Sequence, residues 1–218
     1  MKNPKVKVLI TCVHGGNDIP AEYEAFFKDA CGVLETHRGY DLGALELFHK
    51  FKSKADFSEY STTSRLLVEL NRSLHHPQLI SEFMASLSQE KREALLAAYY
   101  LPFREKVEEQ VRTWVGKGCQ VLHLSVHSFT PQLNGKIRNT DVGFLYDPKR
   151  EREQLFAARW RQQMHQVEHS FKIRYNYPYK GTADGFVTQL RKRISNDQNA
   201  GIELEINQKF PVQEPEQW

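Results

Sequence analysis

A chain of 218 residues with 40% hydrophobic and 11% aromatic side chains can build a full core and suits one sizeable domain, which argues against disorder. The 30 basic and 27 acidic residues leave a net charge of +3 and are scattered, so no basic and aromatic stripe serves nucleic acid. No apolar run reaches the roughly 18 residues that would suggest a membrane span.

The first element is the run VKVLITCVHGGNDIP at residues 6–20. Its aliphatic residues read as a buried strand that empties at His14 into a glycine-permitted loop. In open α/β sheets the carboxyl edge of the strands is where ligands bind. The N-terminus runs straight into this loop, unlike a secretory leader. Cys12, Cys31 and Cys119 form no CxxC pair and leave one unpaired in any disulfide scheme, which points to a reducing cytoplasm.

Residues 21–31 read as a short helix, residues 35–41 as a polar segment ending in Asp41, and residues 42–51 as a helix with Leu42, Leu45 and Phe48 on one face. SRLLVEL at 64–70 reads as a second strand running out into Asn71 and Arg72. Residues 88–115 have a helical apolar face interrupted near Pro102, and Gly116 and Gly118 close that helix. The most strand-like run, CQVLHLSV at 119–126, ends in His127. A loop with Lys136 and Arg138, a strand at 142–146, an amphipathic helix from 151 to about 170, a proline-fixed aromatic loop at 175–179, a helix at 183–194 and a last strand, GIELEI at 201–206, complete the chain. Strands alternating with helices imply a largely parallel sheet covered on both faces.

Strand ends therefore offer His14, Asn71 with Arg72, and His127, while the last strand carries Glu203 and Glu205. Two histidines and a carboxylate suit a zinc shell with an open position, beside which another glutamate can act as general base. Competing readings are a helical HxxEH pattern at His165, Glu168 and His169, and a cysteine nucleophile at Cys12 beside His14. The first sits on a helix whose Phe156, Trp160 and Met164 face a core, and Cys12 lies in an apolar run. His75 and His76, before Pro77, read as turn residues, and Gly15-Gly16 lacks a phosphate-cradling pattern.

ELNR at 69–72, SVHSF at 125–129 and LEI at 204–206 follow the order of the DLNR, DxHS and FEL segments of zinc carboxypeptidase-like enzymes. More closely, CVHGGNDIP, HRGYDLGALEL, SRLLVELNRS, HSFTP with Gly135 and Arg138, VGFLYD and GIELEINQ resemble the N-formylglutamate amidohydrolase family across residues 8–208. The resemblance implies one domain over 1–218, an α/β fold of three α/β/α layers around a mostly parallel mixed sheet, of the zinc carboxypeptidase-like (phosphorylase/hydrolase-like) type. It also implies a cytoplasmic enzyme that uses one zinc ion to hydrolyse the amide of an N-acyl amino acid such as N-formyl-L-glutamate.

Residue by residue, His14 and His127 match the family's metal-binding histidines and Glu205 its catalytic glutamate. Carboxypeptidases carry a glutamate three residues after the first histidine, where this chain has Asn17. The acidic candidates for third ligand are Asp41 and Asp18, of which Asp41 belongs to the shared HRGYD motif. Arg72 with Asn71 is expected to hold a substrate carboxylate in a guanidinium fork, and Arg65, Arg38 and Arg138 to serve a second carboxylate or the oxyanion. Asn207 stands where relatives often have arginine. The alternative is a carboxylate-binding protein of the same fold that has lost its metal, a reading that gains if Asp41 is remote from the histidines.

Overall fold

The aliphatic run after Lys5 forms strand β1 (Val6–Cys12), the hub of a six-stranded sheet. The structure, a computed structural model, describes residues 4–213. The other sheet strands are β2 (Phe57–Tyr60), β3 (Gln120–Phe129), β6 (Val142–Leu145), β7 (Ile173–Tyr175) and β8 (Asn199–Asn207), and β4 (Gln132–Leu133) with β5 (Lys136–Ile137) makes a separate small hairpin. The spatial order is β2-β1-β3-β8-β6-β7, with β2, β1, β3 and β8 parallel and β6 antiparallel to β8. This is the mostly parallel mixed sheet that the alternation of elements implies.

Helices cover both faces, because successive strand residues point to opposite sides. On one face Leu9 and Val121 pack in a cluster with Val107, Val111 and Trp114 of helix α4 (Leu101–Gly116) and with Phe186 and Leu190 of α6 (Phe186–Arg193). On the other, Ile10, Leu124, Ile202 and Leu204 cluster with Ala44 and Phe48 of α2 (Ala44–Phe51) and Ala157 of α5 (Glu151–Val167). Short helices α1 (Cys31–Leu34), α3 (Gln89–Leu95) and α7 (Lys209–Gln213) fill the connections.

Two expectations are corrected. Residues 64–70 are not a strand: the second strand is β2, and the SRLLVEL backbone bonds locally, Leu67 N to Ser64 O and Arg72 N to Glu69 O, while Glu69 N donates to Leu79 O. Leu66, Leu67, Val68 and Leu70 are all buried, and a continuous apolar run is compatible with any segment enclosed on every side. The helix around Pro102 is not broken either. Pro102 stands in the first turn of α4, where proline is tolerated, and a wide π turn, Leu96–Tyr100, joins α3 to α4. It sets Tyr100 and Arg104 beneath the corrected segment, where the Tyr100 hydroxyl donates to Arg72 O at 2.7 Å and Arg104 donates to Leu70 O at 2.6 Å.

Candidate active site

Because β1, β3 and β8 are parallel, His14, His127 and Glu205 gather at the carboxyl edge of the sheet, and His127 and Glu205 are direct register partners. The loop after His14 folds against residues 61 and 62, with Gly15 N donating to Ser61 O at 2.9 Å. A Cβ on Gly15 or Gly16 would stand 2.8 or 2.6 Å from a backbone carbonyl oxygen of this segment, so only glycine allows the approach. Asp41 N donates to His14 O at 3.0 Å, which ties the HRGYD segment to the same loop and brings the Asp41 carboxylate to the histidines.

One oxygen organises the centre. Asp41 Oδ2 lies 3.1 Å from His14 Nδ1 and 3.0 Å from His127 Nδ1, and all three groups are buried. The far nitrogens are held as well: His14 Nε2 is 2.5 Å from Glu69 Oε1 and His127 Nε2 is 3.0 Å from Ser125 Oγ. Arg65 donates to Asp41 Oδ1 at 3.0 Å and to Glu69 Oε2 at 2.9 Å, closing a ring of charge. Candidate ligand atoms of His14, Asp41 and His127 lie within 4.8 Å of one another, the one such group among the described residues. Two imidazole nitrogens turned on one carboxylate oxygen, each ring fixed from behind by a carboxylate or hydroxyl, fit a divalent cation of the zinc type.

The electrostatics agree with that donor set. Burial and the Arg65 guanidinium oppose a charge on His14, but Glu69 and Asp41 outweigh them and raise its pKa above the usual imidazole value. Burial works against ionised Asp41, yet His14, Arg65 and the histidine hydrogen bonds hold its pKa well below the carboxylate range. Glu205 goes the other way: burial first, then the charges of Asp41 and Glu203, push its pKa well up against the pull of Arg65 and Arg138. Its Oε2 atom is buried and has no hydrogen-bond partner among the described residues, although Glu205 lines the cavity that His14, Asp41 and His127 also line.

The sequence model of the N-formylglutamate amidohydrolase family matches residues 6–210. The chain belongs to this family. Among solved structures it is similar to a gene product of Agrobacterium tumefaciens at 26% identity and a TM-score of 0.80, over 97% of this chain and 84% of that one. It also shares its fold with the N-formylglutamate amidohydrolase of Ralstonia eutropha JMP134, at 17% identity and a TM-score of 0.66, over 96% of this chain and 84% of that one. No curated protein sequence matches the chain.

In this N-formylglutamate amidohydrolase family chain, the expected site residues divide into two groups. His14, Asp41, His127, Glu205, Asn71, Arg72 and Arg65 all line one cavity of about 180 Å³. Arg65 is committed there to Asp41 and Glu69, and Asn71 receives Phe186 N on Oδ1 at 2.8 Å. Arg72 donates one bond to Asp184 O. Arg138 stands one residue back, its guanidinium 3.2 Å from the hydroxyl of Tyr179, which lines the cavity. Arg38 does not line it. Its side chain pairs with Glu82 and lies over Phe83, because the turn before Gly39 sends it outward.

Asn17 and Asp18 do not approach the centre. Asn17 bonds Leu34 O and Glu35, and Asp18 is exposed. Asn207 spends its amide on Thr140 O and Arg138 O, so it braces the Arg138 loop. The HxxEH pattern dissolves because α5 ends at Val167, leaving His169 outside the helix, and Cys12 is enclosed in the apolar cluster on the far face with its pKa pushed up by burial. His76 accepts a bond from Gln78 N and shapes a turn. Reading the sequence missed Glu69, Ser125, Tyr179 and Lys180. Glu69 sits inside the ELNR motif and Ser125 opens the SVHSF motif, where their positions were a signal, whereas no motif marked Tyr179 or Lys180.

Proposed function

We propose that the chain is a zinc-dependent amidohydrolase that cleaves the amide of a small N-acyl amino acid, of which N-formyl-L-glutamate is the first candidate. The observation that carries this reading is the convergence of His14 Nδ1 and His127 Nδ1 on one Asp41 oxygen beside a buried, unpartnered Glu205 carboxylate oxygen. A bound zinc ion supplies Lewis-acid polarisation of the scissile carbonyl and a water of lowered pKa.

The chain's own residues do the rest. Glu205 takes the proton of the attacking water on its free Oε2 and returns it to the leaving amine nitrogen, a role its raised pKa suits. Arg72 and Asn71 receive a substrate carboxylate, with Lys180 on the opposite loop as a second cation for a dicarboxylate. Arg138, behind Tyr179, adds positive charge to the side of the cavity where the oxyanion develops, with the Tyr179 hydroxyl between them. A cavity of about 180 Å³ favours a small substrate over a peptide. Three cysteines, none in a disulfide, support a cytoplasmic setting.

The competing reading, a carboxylate-binding protein without metal, would have gained from a remote Asp41, and contact with both histidines weighs against it. The test pairs elemental analysis with hydrolysis of N-formyl-L-glutamate. About one zinc per chain, lost in His14→Ala and kept in His165→Ala, with amine release only from the zinc-loaded protein, is the expected result. A chain that takes up no zinc and releases no amine overturns it.

A further inference from the structure

Three polar residues lie behind the candidate cation centre with no part in the reaction as proposed. Thr11, His123 and Ser125 are at most 1% exposed, and they stand on the face of β1 and β3 that otherwise carries Leu9 and Val121 into the core. They form one row. Ser125 Oγ is 3.0 Å from His127 Nε2, Thr11 Oγ1 donates to Ser125 Oγ at 3.3 Å, and His123 Nε2 is 2.8 Å from Thr11 Oγ1. Thr11 and Ser125 are register partners on neighbouring strands, so the row follows from strand pairing. At its far end His123 packs edge-on to Phe186, and its Nδ1 has no partner among the described residues.

Burying hydroxyls and an imidazole costs desolvation that valine or leucine would not, and one orphaned nitrogen adds to that cost. Packing alone does not explain the row. We propose that Ser125, Thr11 and His123 are positioning residues that hold the His127 imidazole with Nδ1 turned toward Asp41 and a cation, by presenting an acceptor oxygen to Nε2–H. The proposal rests on the reading of His14, Asp41 and His127 as a cation site.

The protonation pattern follows from the ends of the row. A histidine that ligates through Nδ1 carries its proton on Nε2, and among the described residues the partner of that atom is Ser125 Oγ. Burial, then Arg191 and His127, lower the His123 pKa to about 3, so this ring is neutral and has a single N–H. Placing that hydrogen on Nε2 satisfies Thr11 and leaves the orphaned Nδ1 as a bare lone pair, the cheaper kind of orphan. Thr11 can then give its own hydrogen to Ser125. Two donors converge on Ser125 Oγ, one from each side, and fix the oxygen in front of His127.

The test uses the full chain and zinc itself. Zinc affinity is measured by chelator competition for wild type, Ser125→Ala, Thr11→Val, His123→Phe and His123→Gln, beside thermal midpoints and the ¹⁵N signals of His127. Loss of a group that orients a metal-bound histidine typically weakens metal about 10- to 100-fold, which is the expectation for Ser125→Ala. Thr11→Val and His123→Phe are expected to follow in the same direction with smaller losses, and His123→Gln, which keeps a donor, to recover part of the affinity. Zinc-loaded wild type gives the Nε2–H form of His127. Folded Ser125→Ala and Thr11→Val proteins with wild-type zinc affinity and an unmoved His127 signal, whatever their midpoints, reduce the row to a packing feature and overturn the proposal. Wild type that binds no zinc overturns the cation site itself, a failure distinct from variants that match a zinc-binding wild type.

Discussion

Two buried carboxylate clusters stand near opposite ends of β8, and they differ in how completely their carboxylate oxygens are matched. At the amino end Glu153, with no exposed surface, accepts on Oε1 from Arg191 Nε and Gly201 N, each at 3.0 Å, and on Oε2 from Asp147 N at 2.9 Å. Arg150 adds a second guanidinium 3.0 Å away as a charge contact, its Nε making no hydrogen bond among the described residues. At the carboxyl edge four buried carboxylates, Asp41, Glu69, Glu203 and Glu205, stand together, Arg65 pairs with Asp41 and Glu69, and Glu205 keeps an oxygen with no hydrogen-bond partner among the described residues. A buried charge that is fully paired holds a fold together. One left in deficit of positive charge and hydrogen bonds is where a cation, a water and a substrate can supply what the chain does not.

The largest effect that separates the clusters is on turnover. Glu205→Gln removes the proton carrier and keeps the shape, so kcat is expected to fall about 100- to 10,000-fold with zinc content unchanged. Equal loss of zinc in this variant would merge the roles of ligand and base. Glu153→Ala acts on the other cluster. Leaving Arg191 and Arg150 unpaired in the interior should cost roughly 3–5 kcal/mol in urea unfolding, while kcat per folded molecule stays at the wild-type level. A comparable loss of kcat there would show that the two ends of β8 are coupled.

The contrast also marks what the sequence could tell. His14 and His127 were legible because each ends an aliphatic run, and parallel pairing sends such ends to one edge, whereas Glu205, inside its strand, was singled out from Glu203 through the family motif. Asp41 was legible only through its motif, since a hydrogen bond from its backbone to His14 O, remote in sequence, is what brings it in. SRLLVEL misled because a run buried on every side has no period, and β2 and β7 were missed because FSEY and IRY are short and broken by polar residues, unlike the equally short but apolar VGFL of β6. The outward turn of Arg38 and the arrival of Tyr179 and Lys180 depend on loop geometry that spacing does not encode.

Substrate contacts at the unsatisfied edge give the next smaller effect. Arg72 retains N–H groups beyond the one given to Asp184 O, and a charged hydrogen bond is worth about 1.5–3 kcal/mol. Arg72→Ala should therefore raise KM for N-formyl-L-glutamate roughly 10- to 100-fold with a smaller change in kcat. Lys180 is exposed, where a screened ion pair contributes about 0.2–1 kcal/mol, so Lys180→Ala should raise KM only a few-fold. If Lys180→Ala has the greater effect, the carboxylate sits on the loop side of the cavity and the clamp has been assigned to the wrong residue.

The smallest effect is the most direct measure of the deficit itself. In zinc-stripped protein Glu205 and His14 both have pKa values raised by folding, so each favours the folded state while protonated. Their stabilisation is complete below the unfolded values, about 4.3 and 6.5, and is lost as pH rises through the folded ones. Asp41 and Glu69, whose pKa values are lowered, have the opposite sign and lose their stabilisation in acid. On the alkaline side the decline therefore belongs to Glu205 and His14 together, and Glu205→Gln should remove one share of it. Thermal midpoints of the stripped wild type and Glu205→Gln, followed from about pH 5 to 9, should diverge, with the variant falling less steeply. Parallel curves would mean that Glu205 already has a partner for its charge, and the unsatisfied end of β8 would then be as complete as the end built on Glu153.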